Sequence, residues 1–432
     1  MFARPEELWR TERVVHTPWL SRRSVASSSG LTAMRSRLDG PASSRTEQLA
    51  IVIALGSFGT LGFALTPPIL PDLATSFGVS ESAIGLVQGS VAVPGIAFSL
   101  VVGYLADRLG RKRVVVVSTI IFSIFGLAGF WARSFWVLVG MRFLQGFGIS
   151  GMLGLGIALV GDLFKGAERT RAVGYNLAGI MVVSMIGPVI SGLIATGGTF
   201  RPFLAYGLGF LVAAWATRLA IPRYEIPTAS PLRHMRGVLY DMRSTGSIID
   251  YGGVLIVTLV SVAILNGAGL TATPLLLESE FGVGVGVRGV VLACFQGGSA
   301  IAAFAFARLG GRLGGRAATS GFGLMAAGMA TVAIAPTVGL VALGLALTGL
   351  GFGTFTSLGQ DFAAGAASAA YRGLAVSMMV SVIRISQTVA PPLASFGTDH
   401  VGPRSAFAGA AIVAGLTAVS WRTVRRSLRS RW

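Results

Sequence analysis

Two arginines stand inside long apolar stretches of this sequence, Arg142 with Gln145 near it and Arg384 with Gln387, and no other charged groups are placed so. An arginine in the middle of a membrane segment costs on the order of 2.5 to 3.5 kcal/mol on insertion scales, so each needs a reason to be there. For Arg142 the reason is either a function or a structural bond to neighbouring backbone or to Gln145. For Arg384 it is either contact with a solute or pairing with carbonyls that Pro391 and Pro392 release from the helix ladder. Gln88, Asn266 and Gln296 complete the polar groups left to meet a substrate.

Acids are missing from this set. All 17 acidic residues, including Asp72, Asp107, Asp162, Glu278, Glu280 and Asp361, lie in the leader, in loops or near segment ends, and His16, His234 and His400 lie in termini or loops. A proton relay ordinarily uses an embedded carboxylate or histidine, so direct proton passage through the centre is not expected. An embedded Ser, His and acid set is also lacking, as is a cluster of metal ligands. No G-x-x-x-x-G-K-[ST] loop occurs, so energy should come from a gradient rather than from ATP. The single cysteine, Cys294, falls in an apolar block and reads as an inert buried thiol. These residues point away from an enzyme, a cofactor or a metal site. They fit a cavity that favours anionic or neutral amphiphilic solutes.

The elements that hold them are membrane spans. Of the 432 residues, 53% are hydrophobic and only 12% charged, and the mean hydropathy is +0.73; about a quarter of residues are charged in soluble domains. Apolar segments run over 48–70, 83–105, 114–132, 135–160, 172–195, 202–221, 252–275, 289–307, 317–336, 338–358, 373–394 and 405–421. Most reach the roughly 20 residues that cross a hydrocarbon core as helix. Helices are the expected form because backbone groups in lipid must be satisfied within their own segment. The 60 glycines suit membrane helices that approach closely.

Charge sets the orientation. With the N-terminus in the cytoplasm, 29 of the 35 Lys and Arg residues fall on the inner side, while Arg133, Arg201, Arg288 and Arg404 fall outside and Arg142 and Arg384 within spans. The formal charge of +18 is thereby explained by topology and by anionic lipid at the inner leaflet. Nucleic-acid binding is not expected, because the arginines are spread over loops without a recognisable nucleic-acid module. The sequence predicts a multi-pass protein of the plasma membrane with both termini cytoplasmic.

The chain also repeats. Phe77-Gly78-Val79 recurs as Phe281-Gly282-Val283, Arg108-Leu109-Gly110 recurs as Arg312-Leu313-Gly314, and Pro188 has its counterpart in Pro391, all at nearly one offset. The expected fold is an all-α integral membrane protein with twelve transmembrane helices in two six-helix pseudo-repeats around a central cavity. Its divisions are a basic cytoplasmic leader at 1–46, an N-terminal half at 47–221, a cytoplasmic linker at 222–251, a C-terminal half at 252–421 and a basic tail at 422–432. The leader reads as disordered on composition; an organellar transit peptide and translation from Met34 are alternative readings of it.

Three motifs resemble those of one family. Gly103 to Arg113 reads G-Y-L-A-D-R-L-G-R-K-R, which resembles the signature loop of the major facilitator superfamily between its second and third helices. The resemblance implies that Gly103, Asp107, Arg108, Gly110, Arg111, Lys112 and Arg113 form a gating loop that latches the halves in the outward-facing state. Gly103 is expected to allow close helix contact, and Asp107 to cap or pair across the inner surface. In the second half Gly311 stands where Asp107 would recur. Arg142 to Gly146, R-F-L-Q-G, resembles the family's second motif, whose embedded arginine is tied to proton-dependent transport. The overlapping G-F-G-I-S-G lacks any βαβ context and is a run of small residues in a membrane helix.

Gly174, Gly187, Pro188 and Gly192 resemble the helix-5 motif of the drug:proton antiporter branch, with Val183 and Ser191 where that motif has glycine. Pro67, Pro68, Pro71 and Asp72 look like the same branch. The resemblance covers residues 48–421 and implies a secondary active transporter that moves a small solute by alternating access. Within that class it favours an exporter, by antiport of a drug or metabolite against a proton or another coupling ion. An importer or symporter of a small anionic or neutral solute is the alternative, and a non-transporting membrane sensor a third reading.

Overall fold

The computed structural model describes residues 44–221, 248–313, 316–365 and 372–429. The expectations for the leader up to residue 43 and for most of the linker lie outside the described residues. Twelve helical spans appear where the apolar segments run. They are α1 (Arg45–Phe77), α2 (Glu81–Ser90 and Val93–Leu109), α3 (Arg111–Trp131), α4 (Phe135–Leu163), α5 (Gly166–Ala195) and α6 (Arg201–Ala216). The second set comprises α7 (from Ile248–Ala263 to Thr273–Ser279), α8 (Val285–Leu313), α9 (Arg316–Ile334), α10 (Val338–Gly365), α11 (Arg372–Val401) and α12 (Ser405–Arg429). Among the described residues, seven are long and apolar enough to cross a bilayer on those grounds alone. α11, at 30 residues, spans about 45 Å at the helical rise per residue.

Boundaries differ in three places, each for a local reason. α1 already begins at Arg45, because the Ser44 hydroxyl accepts the Glu47 amide and caps the first turn. α7 is helical from Ile248, within the stretch read as linker, and α12 continues to Arg429, through most of the stretch read as tail. Three helices are broken. α1 loses regular form at Leu65 and Thr66, where Pro67 and Pro68 cannot donate to the ladder. α2 breaks between Ser90 and Val93, just before Pro94. α7 widens to a π-helix over Ile264–Ala272.

The internal repeat is visible as geometry. α1 is capped by Gly78 with φ +62°, and just beyond the end of α7 Gly282 has φ +59°, the left-handed conformation that glycine adopts without strain. Arg111 of α3 meets Asp162 of α4 at 2.5 Å at the end of the molecule where the basic residues gather, called here the arginine-rich end. At the opposite, arginine-poor end, Arg404 binds Glu280 and donates to the carbonyls of Ala333 and Ala335. The hydrogen bonds it donates to Glu280 raise the pKa of this guanidinium. The apolar core forms one cluster in the second half and two in the first. Leu275 of α7 is buried within the first-half cluster nearer the arginine-poor end.

Candidate functional site

The halves meet along two seams, α2 against α11 and α5 against α8. Missing side chains set the closeness of both. A Cβ at Gly85 would lie 2.5 Å from the Pro391 carbonyl oxygen, and one at Gly89 2.6 Å from that of Thr388. In the second seam a Cβ at Gly192 would lie 2.7 Å from the Val285 carbonyl oxygen, and one at Gly289 would strike that of Pro188. Pro392 removes the amide that would bond Thr388, so the released carbonyl lies against the bare backbone of Gly89.

Arg288 of α8 closes this end further. Its Nη2 donates to both carboxylate oxygens of Asp72 in α1 at 2.8 Å, joining the halves through a guanidinium side chain only 3% exposed. In the sequence Asp72 stands out only beside Pro67, Pro68 and Pro71 and Arg288 only as one of four arginines on the arginine-poor side, and nothing there pairs the two. Ser395 adds a hydrogen bond to the Ser82 carbonyl, and the Ser82 amide donates to Asp399.

Arg142 lies in α4 and is 1% exposed. Nη1 donates to Gln145 at 2.6 Å and to the Tyr206 hydroxyl at 3.2 Å, Nη2 to the Gly62 carbonyl and Nε to that of Val87 at 3.4 Å. The α1 carbonyls in this network sit just before the break that Pro67 and Pro68 impose. Pro67 cannot bond the Phe63 carbonyl, and Gln88 donates to it instead at 3.2 Å. Tyr206 donates to Leu61 at 3.2 Å, and Ser191 donates to Leu65. Every partner of Arg142 belongs to the first half. Gly146 then lets α4 settle on the broken turn of α2, since a Cβ there would lie 2.9 Å from Pro94 Cδ.

Arg384 lies in α11 and is 6% exposed. Nη1 donates to Gln387 at 2.9 Å, and the guanidinium lies over the Phe63 ring of α1, 5.4 Å from its centroid. Its stem runs beside Gly95 of α2, where a Cβ would come within 2.8 Å of Arg384 Cδ. Of the carbonyls that Pro391 and Pro392 free, that of Thr388 faces Gly89 of α2, and among the described residues Arg384 bonds neither it nor that of Gln387 but reaches across the seam. Asn266 in the π-helix is buried and donates to the Val262 carbonyl at 3.0 Å. Gln296 in α8 is half-buried.

The gating-loop residues lie at the arginine-rich end. Gly110 turns the chain at φ +90°, and Arg108 stacks over the Tyr104 ring at 4.8 Å. Arg111 holds Asp162, Lys112 is half-buried and Arg113 exposed, while the Asp107 side chain lies outside the described residues. Among the described residues nothing lies within 4 Å of a Cβ at Gly103, or at Gly174 in α5, whereas the glycines of both seam helices at the arginine-poor end are tightly engaged. Gly187 packs on Ala64 of its own half, and Pro188 presents its carbonyl to Gly289.

A sequence model of the Major Facilitator Superfamily matches residues 52–287 and 254–431. The chain belongs to this superfamily. Among curated members it is 30% identical to a probable 4-methylmuconolactone transporter of Cupriavidus pinatubonensis over 38% of this chain and 36% of that protein. It is 28% identical to the bacillibactin exporter of Bacillus subtilis over 35% of this chain and 40% of that one. It is 30% identical to multidrug resistance protein 2 of Bacillus subtilis over 39% and 43% respectively. Each match thus spans well under half of the relative's length. In fold, this facilitator is similar to a bacterial homologue of the human lysosomal transporter Spinster in its inward-facing, unoccupied conformation, with TM-score 0.73 and 16% identity over 90% of this chain and 98% of that one. The human organic anion transporter MFSD10 aligns with TM-score 0.65 and 15% identity over 88% of this chain and 100% of that one. As a superfamily member with apolar spans along its length, the chain is a multi-pass membrane protein.

Proposed function

We propose that this protein is a secondary active exporter that carries a small organic solute by alternating access, and that the structure represents its inward-facing state. The observation that carries the reading is the unequal seam. Glycine contacts and the Arg288–Asp72 pair join the halves at the arginine-poor end, whereas among the described residues Gly103 and Gly174 meet nothing at the other. The positive-inside bias assigns the arginine-rich end to the cytoplasm, so the joined end faces outward. Closing the inner end would bring Gly103, Asp107 and the loop cations against the second half, the latch implied by the signature motif. Export is favoured over import by the helix-5 residues Gly174, Gly187, Pro188 and Gly192, and two exporter or resistance proteins are among its relatives.

The proposed solute site lies between the halves at Arg384 and Gln387, with Gln296 and Asn266 on the neighbouring helices of the second half. Arg142, Gln145 and Gln88 hold the first half rigid behind it. The test is uptake by inside-out vesicles of a panel of lipophilic cations, neutral drugs and organic anions, with and without an imposed proton gradient. Gradient-dependent accumulation supports export with a proton as coupling ion. Accumulation only in right-side-out vesicles would replace the reading with import, and accumulation of no solute in either orientation would remove transport.

A further inference from the structure

We propose that Arg384 receives a singly charged organic carboxylate, which names the substrate class of the site above and rests on the transport reading. The geometry leaves one edge of this guanidinium vacant. Nη1 is engaged by Gln387, and among the described residues Nε and Nη2 have no hydrogen-bond partner. The vacant pair is the side of the guanidinium fork that matches a carboxylate with two parallel N–H···O bonds.

Electrostatics select the same partner. Among the described residues Arg384 has no ion pair, and the Phe63 ring face is its neighbour from the opposite half. A cation held deep in the membrane with one amide bond and one ring is under-compensated, and an anion would supply what is missing. One positive charge balances one negative charge, so a dianion would bring a second, unpaired charge into the same site. A cationic solute would meet like charge. The walls beside the guanidinium are Phe63, the bare backbone of Gly95 and helix α11 itself, which suits an apolar body behind the carboxylate.

The experiment is equilibrium binding of radiolabelled benzoate to the purified full-length protein, with unlabelled benzoate, phenylacetate, octanoate, benzamide and benzylammonium as competitors. The monocarboxylates are expected to displace the label and the neutral and cationic analogues to leave it. Arg384→Gln should weaken benzoate binding about tenfold or more, the loss of a charge-assisted pair. Gly95→Ala keeps the charge but pushes the arginine stem aside, and should weaken it by a smaller factor. Gel filtration and circular dichroism matching the wild type show that each variant is folded.

Equal competition by benzamide, undiminished benzoate binding in Arg384→Gln, or no binding of any of the three carboxylates would overturn the inference. Vesicle uptake separates it from the transport reading. A protein that binds benzoate through Arg384 yet moves nothing would sink only transport. One that moves neutral solutes equally well with or without Arg384 would sink only the carboxylate site.

Discussion

Arg142 and Arg384 begin as the same problem, a cation in apolar sequence with a glutamine three residues on, and the fold resolves them in opposite ways. Arg142 is surrounded by acceptors from its own half: the Gly62 and Val87 carbonyls, Gln145 and Tyr206. Arg384 keeps one amide bond, crosses the seam to Phe63 and Gly95, and retains an unused edge. An embedded charge whose bonds are all made within one rigid body stabilises that body. A charge that leans across two bodies with bonds to spare can respond both to a ligand and to their relative movement.

The largest effect expected from this contrast is on stability. Arg142→Met strands the Gln145 oxygen and two backbone carbonyls in apolar surroundings, and should cost about 3 kcal/mol, given roughly 1 to 3 kcal/mol for each buried polar group left unpaired. Arg384→Met should cost about 1 kcal/mol, since it strands only the half-buried Gln387. Reversible unfolding in mixed micelles measures both, and equal losses would dissolve the distinction. Next is the closure at the arginine-poor end, which should matter to Arg384 and not to Arg142. Arg288→Gln removes the charge-assisted bonds to Asp72 and should weaken the closed end by about 1.5 kcal/mol, roughly tenfold in the opening equilibrium. In a Cys294→Ser background, Ser395→Cys should then react with a maleimide about tenfold faster, while a cysteine at Ser123, inside the first half, should not change.

Smaller effects sharpen the same contrast. Tyr206→Phe removes one bond to Arg142 and one to Leu61 and should cost about 1 kcal/mol, against less than about 0.5 kcal/mol for Gln387→Ala. Least of all, Gly103→Ala should leave stability within about 0.5 kcal/mol, because nothing stands near a Cβ there in this state. If Gly103 closes on the second half during the cycle, the same variant should slow vesicle transport severalfold. An unchanged rate would remove Gly103 from the gate.

Much of this was legible in the sequence because the bilayer imposes strong rules on composition. Spans of the right length, the bias of basic residues and the repeat at Phe77-Gly78-Val79 and Phe281-Gly282-Val283 follow from hydrocarbon thickness, leaflet charge and the left-handed cap. The signature residues from Gly103 to Arg113 were legible as well. The pairing of Asp72 with Arg288, 216 positions apart, was not. Neither was the role of Pro67 and Pro68, whose missing amides matter only once Arg142, Gln88 and Tyr206 are brought to the carbonyls nearby.

By itself, then, the sequence determined that twelve helices cross a membrane, which end is basic and which cations are embedded, since each depends on residue type and local order. Tertiary structure decided which embedded cation is satisfied, which glycines are in contact and which end of the seam is closed. Hydrogen-bond completion and helix approach depend on distances between segments far apart in the chain. Arg142 and Arg384 carry the same side chain and a similar local motif, and only the neighbours supplied by packing distinguish them.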